Sequence, residues 1–197
     1  DQIMIKSMLG DREVGLYSAA VRLVEIWYFI PMVITNSLFP SIINAKKTSE
    51  ELYYKRLQKL FSFLIFLALI ISFTTTLFSN FLINLVYSNI YSESAGILSI
   101  SVWATLFVYI GVATSQWLIS ENLQKISFYR TLYGAVINVI LNLVLIPVMQ
   151  AQGAALATVV SQMIAAYLSL FWNKKTIELA KKVTLAPFYI FRFKTIG

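Results

Sequence analysis

Residues 14–43 read VGLYSAAVRLVEIWYFIPMVITNSLFPSII, and the reading of this stretch decides the fold. It is apolar almost throughout, yet it carries Arg22 and Glu25. At about 1.5 Å per residue it predicts a helix of roughly 45 Å, longer than the roughly 30 Å hydrocarbon core of a bilayer. Such a helix must tilt, bend or protrude. Pro31 lies near its middle, where a missing N–H and a ring clash bend a helix, and Pro40 is placed to loosen its end. A charge one-third of the way into a bilayer costs at least a few kcal/mol, so Arg22 and Glu25 are expected to face a polar cavity or a partner rather than lipid.

Composition agrees with a membrane-spanning reading. Hydrophobic residues make up 58% of the chain and charged residues 13%, against roughly 45–50% and about 25% in soluble domains. Mean hydropathy is +0.73. The apolar blocks are long and continuous, which predicts an all-α integral membrane protein rather than a β-barrel. There is no Cys and no His, so no thiolate or imidazole is available for metal, nucleophilic or acid/base chemistry. No catalytic residue, metal site or resident cofactor is expected. The net charge of +7 is read as a consequence of topology and anionic headgroups, not of nucleic-acid binding.

Outward from residues 14–43, residues 1–9 read as the last part of a truncated span, closed by Gly10, Asp11, Arg12 and Glu13. The chain opens with neither an initiator Met nor a signal-peptide pattern and therefore reads as a fragment that starts inside a helix. A polar loop is expected over 44–59. Further spans are expected at about 57–78, 95–120, 128–149 and 153–172, with a short interfacial piece at 81–87. Pro147, Gln150, Gln152 and Gly153 mark a tight hairpin between the last two. The result is a six-helix transmembrane bundle over 1–173 and a basic cytoplasmic tail over 174–197, whose apolar end at 187–193 is expected on the membrane surface. Loops after the second, fourth and sixth helices hold five basic residues, two (Lys125 and Arg130) and six, whereas the alternate loops hold Arg12 alone. By the positive-inside rule the basic side is the cytoplasm, and the C-terminus lies there.

The intramembrane polar residues are the candidate site. A hairpin centred near Asp11 and Arg12 brings Asp1 level with Arg22, where an ion pair would relieve both charges or leave Arg22 to bind a phosphate or acidic sugar through its planar fork. Lys6 is read as a headgroup anchor or a cavity cation. Asn138 and Asn142, four apart on one face, and Gln116, well inside its span, are read as interhelical hydrogen-bonding groups or cavity lining. Gln162 and Ser161 belong with them. Gly153, Ala154, Ala157, Ser161 and Ala165 form a small-residue stripe suited to close helix packing.

Several segments together resemble one family. DQIMI at Asp1, VGLYSAAVRLVE at 14–25, FIP at 29–31, LFP at 38–40 and IPVMQAQGAALATVVS at 146–161 are similar to the second half of Wzx-type polysaccharide flippases, within the multidrug/oligosaccharidyl-lipid/polysaccharide (MOP) exporter superfamily. The resemblance runs along essentially the whole chain in matching order. It implies the C-terminal half of a two-bundle MOP-type transporter in a bacterial inner (cytoplasmic) membrane. Such a protein moves undecaprenyl-diphosphate-linked oligosaccharide from the inner to the outer leaflet by alternating access around a cationic cavity. It implies membrane lipids and other polysaccharide assembly proteins as partners, places Arg22 on a cavity helix, and leaves coupling to Na+ or H+ to Asp1 or Glu25. Two rivals stand beside it. A multidrug exporter of the same superfamily should show exposed cavity carboxylates, and a membrane-embedded polysaccharide polymerase or ligase should show a large charged outward loop.

Overall fold

The computed structural model describes residues 1–189, which are helical from end to end with no strand among them. Four stretches are long and apolar enough to cross a membrane: Asp11–Thr48, Glu50–Leu77, Ser94–Ser120 and Gln124–Phe171. The chain is a multi-pass membrane protein. Arg192, Lys194 and the last part of the apolar end expected on the membrane surface lie outside the described residues.

Helix α1 (Gln2–Leu9) stops at Gly10, whose φ of 93 lies where a side chain would be strained. Helix α2 (Asp11–Glu25) begins there, with Asp11 and Glu13 at its positive end. It runs through a 3-10 turn, Ile26–Tyr28, into α3 (Phe29–Thr48). Pro31 explains the turn. A proline cannot donate to the carbonyl four residues earlier, and that carbonyl, Trp27 O, instead accepts the Tyr109 hydroxyl at 2.9 Å. The disturbance predicted at Pro31 therefore falls one turn ahead of it, on the residues whose bonds the proline leaves open.

The polar loop expected over 44–59 shrinks to Ser49. Its Oγ accepts from Leu52 N at 3.0 Å and caps α4 (Glu50–Leu77), whose first turn carries Glu50 and Glu51. Charges mark where a helix leaves the bilayer, not where it ends, so the spans overrun the boundaries that charge alone suggested. Within α4, Phe63, Phe66, Ile70, Phe73 and Leu77 are exposed, whereas Leu57, Phe61, Leu64 and Ala68 are fully buried. This is a helix with one lipid face and one packed face.

Helix α5 (Ser79–Tyr87) is the short piece expected there; α6 (Ser94–Ser101) and α7 (Ala104–Ser120) follow as one nearly continuous rod. Helix α8 (Gln124–Ala166) is two antiparallel arms, because Gln150 adopts φ 55 and ψ −140 and reverses the chain. Across the hairpin the Asn138 amide donates to Ser161 Oγ at 3.3 Å. Gln150→Gly is expected to raise stability by about 1 kcal/mol, because that backbone region is nearly restricted to glycine. A higher thermal midpoint in detergent checks it.

The tail forms α9 (Ile177–Tyr189), which buries Leu179, Ala180, Val183 and Ala186. It packs on α4, where Gln58 Nε2 donates to Lys182 O at 2.9 Å. The basic tail over 174–197 is thus docked on the bundle as far as Tyr189. At one end of the bundle Arg12 bonds Glu93 at 2.6 Å. At the other, Lys46 holds both oxygens of Glu121 at 2.7 and 2.8 Å, and the Tyr53 hydroxyl donates to the same carboxylate at 2.8 Å.

Candidate functional site

A cavity of about 750 Å³ opens between α3, α7 and the two arms of α8, with Asp1 at its edge. Its polar lining is almost all amide and hydroxyl: Asn36, Ser115, Gln116, Asn138, Thr158 and Gln162. The Gln116 amide donates to Asn36 Oδ1 at 3.0 Å and ties α7 to α3 across the space. One carboxylate and one guanidinium, Asp1 and Arg130, share that lining.

The Asp1 carboxylate is held from α2 and from both arms of α8. Asn142 Nδ2 donates to Oδ1 at 2.6 Å, while the Tyr17 and Thr158 hydroxyls donate to Oδ2 at 2.8 and 2.7 Å. Thr158 also reaches Ala154 O, and Asn142 also reaches Asn138 Oδ1 at 3.0 Å. Asn142 is fully buried, and its own Oδ1 has no partner. Carboxylate, amide and hydroxyl oxygens are the donor set a hard cation takes. Among the described residues no group of three or more His, Cys, Asp or Glu could hold a metal.

Arg130 is 6% exposed. Its Nη2 donates to Gly111 O at 2.9 Å and Ser115 Oγ at 2.7 Å, and its Nη1 is enclosed with no acceptor. The expectation that Arg130 belongs to a loop is corrected. Helix α8 begins at Gln124, so Arg130 stands almost two turns inside it, on the face turned to α7. Residues 130, 134, 138 and 142 recur every four positions, and Arg130, Gly134 and Asn142 are buried. Extending the Asn138–Asn142 stripe by two steps would have found Arg130.

The structure brings together Asp1, Gln116, Asn138 and Asn142 and keeps the other candidates apart. Asp1 and Arg22 do not pair. Tyr17 is the α2 residue that meets Asp1, and Arg22, five positions on, points about 140° away around the helix. Arg22 and Glu25 are exposed. They lie on a stripe with Phe29, Met32 and Asn36, all exposed and spaced three or four apart, and Met32 and Asn36 line the cavity. Lys6 is bonded to Asp11 at 2.9 Å, with both side chains exposed, away from the cavity. A second cavity of about 450 Å³ sits at the hairpin end, lined by Glu13, Glu93, Gln150 and Gln152.

The model of the family described as MatE matches residues 1–144. No curated protein matches the chain, and no solved structure does. MatE members are transporters, not enzymes, and a transporter needs what this bundle has: membrane-length helices around a polar cavity. The chain belongs to the MatE family, a member of the MOP exporter superfamily.

Proposed function

We propose that the chain is the C-terminal six-helix bundle of a Wzx-type flippase that moves undecaprenyl-diphosphate-linked repeat units from the inner to the outer leaflet by alternating access. The observation that carries this reading is the cavity lining, which is mostly amide and hydroxyl, with one guanidinium, Arg130, and a single, already hydrogen-bonded carboxylate. Such a surface suits sugar hydroxyls and has little to offer a cationic drug. On this reading α1, the three spans up to Ser120 and the two arms of α8 make six crossings, the basic ends face the cytoplasm of a bacterial inner membrane, and membrane lipids and other polysaccharide assembly proteins are its partners. Asp1 with Asn138, Asn142 and Thr158 takes the coupling Na+ or H+, and Glu25 stands by. Arg22, on the stripe that leads to Met32 and Asn36, faces the other half of the transporter, with Lys6 near the headgroups.

The family match fits a multidrug exporter equally well, and Asp1 in the cavity is the feature in its favour. Full-length protein expressed in cells lacking their own flippase separates the two. Restored surface polysaccharide without ethidium efflux supports the flippase; ethidium efflux without polysaccharide overturns it. Arg22→Ala is expected to abolish surface polysaccharide with insertion intact, and Arg22→Lys to rescue it partly, because Lys cannot donate bidentately. Normal polysaccharide in Arg22→Ala removes that residue from the cavity.

A further inference from the structure

We propose that Arg130 is an anion subsite at the end of the cavity nearest the Ser49 and 121–124 turns, and that it takes a phosphate-type oxyanion. This deepens the flippase reading and rests on it. A guanidinium that serves only as a clamp between helices would have its donors satisfied. Here one nitrogen has two neutral acceptors, Gly111 O and Ser115 Oγ, and the other has none. Among the described residues no carboxylate pairs with Arg130. A buried, uncompensated cation is costly, and most of the surrounding wall is uncharged.

Geometry also points to an oxyanion. Arg130 forms part of the cavity wall, so a turn of the guanidinium about its own side-chain bonds exchanges two neutral acceptors for a bidentate, charge-assisted pair. Arg130 lies about 9 Å along α8 from Gln124, and Asn142 about 18 Å further. The cavity therefore carries its cation near one end and the Asp1 carboxylate toward the other. A ligand with an anionic head and a neutral, hydroxyl-rich body meets the head site at Arg130 and the amides of Asn36, Gln116 and Asn138 beyond it.

The test is titration of the purified full-length protein, in nanodiscs of phosphatidylcholine, with inorganic pyrophosphate by calorimetry. Arg130→Ala is expected to weaken binding about tenfold or more, and Arg130→Lys, which keeps the charge and loses the fork, about three- to fivefold. Unchanged affinity in the Lys variant and in a folded Ala variant overturns the subsite and leaves the flippase reading standing. Wild-type protein that binds ethidium and not pyrophosphate overturns both. In nanodiscs containing phosphatidylglycerol, pyrophosphate binding that is lost only with Arg130 present identifies a lipid headgroup as the occupant. Undiminished binding identifies a soluble or substrate-borne phosphate. Either result supports the oxyanion site.

Discussion

Asp1→Asn is expected to leave the full-length protein folded and, if Asp1 takes the coupling ion as proposed, to remove the ion dependence of transport. The carboxylate accepts from Asn142 on one oxygen and from Tyr17 and Thr158 on the other. An asparagine can keep its oxygen toward the two hydroxyls and turn its amide to Asn142. Asn142 can answer by flipping, because its Oδ1 is buried and has no partner to lose, at the cost of the bond its Nδ2 makes to Asn138 Oδ1. The bonds to Asp1 survive, and the network loses the charge and that one contact. A cation site without its carboxylate loses its anchor, and coupling between ion and substrate of the usual size, about 5- to 150-fold, is lost with it. The measurement is uptake into vesicles under an imposed Na+ or proton gradient: wild type responds to one of them and Asp1→Asn to neither. Asp1→Ala behaves differently. It strands the enclosed Tyr17 hydroxyl and one Asn142 N–H, at about 2 to 3 kcal/mol in stability. An Asp1→Asn protein with full gradient-driven transport would remove Asp1 from coupling.

The contrast between Asp1 and Arg130 shows what the sequence carries and what it withholds. Spans, the hairpin at Gln150 and the small-residue face of its second arm are legible because long apolar runs and turn chemistry are local signals. Asn138 and Asn142 are legible because their spacing places them on one face. Partner choice is not local. A hairpin centred near Asp11 and Arg12 predicts one depth for Asp1 and Arg22, but depth fixes only one coordinate; the rotation of α2 decides the partner, and it presents Tyr17. Arg130 was hidden by the assumption that a basic residue near a loop belongs to it. Helix length set by Ser49 capping and by the start of α8 at Gln124 is a backbone matter, and it carries charges several residues deeper than hydropathy suggests. Lys6 is the opposite case, a charge near the end of a span that finds Asp11 at the surface.

Gly153→Val is expected to cost about 3 kcal/mol or more and to disable the site as well as the hairpin. A Cβ at Gly153 would fall on the Leu145 carbonyl, and a backbone group cannot step aside as a flexible side chain can. The arms of α8 would have to part at their tightest point, just past the reversal at Gln150. Gly134 sets the same spacing lower down, where an added Cβ would lie 2.6 Å from the Ala165 Cβ. Between these two contacts stand the pairs that matter chemically. Asn138 bonds Ser161 across the arms, and Asn142 and Thr158, one from each arm, converge on Asp1. Widening the gap by the width of a methyl group separates Asn142 from Thr158, so they can no longer bind one carboxylate together. Gly134→Ala should be milder, because it adds one methyl group and meets one close atom where Gly153 meets three; that atom, Ala165 Cβ, still moves only with its backbone, so the arms shift there too. The check is paired: thermal unfolding in detergent, where Gly153→Val falls furthest, and gradient-driven transport by the fraction that remains folded. If that folded fraction transports normally, the spacing of the arms is a matter of stability alone and the site does not depend on it.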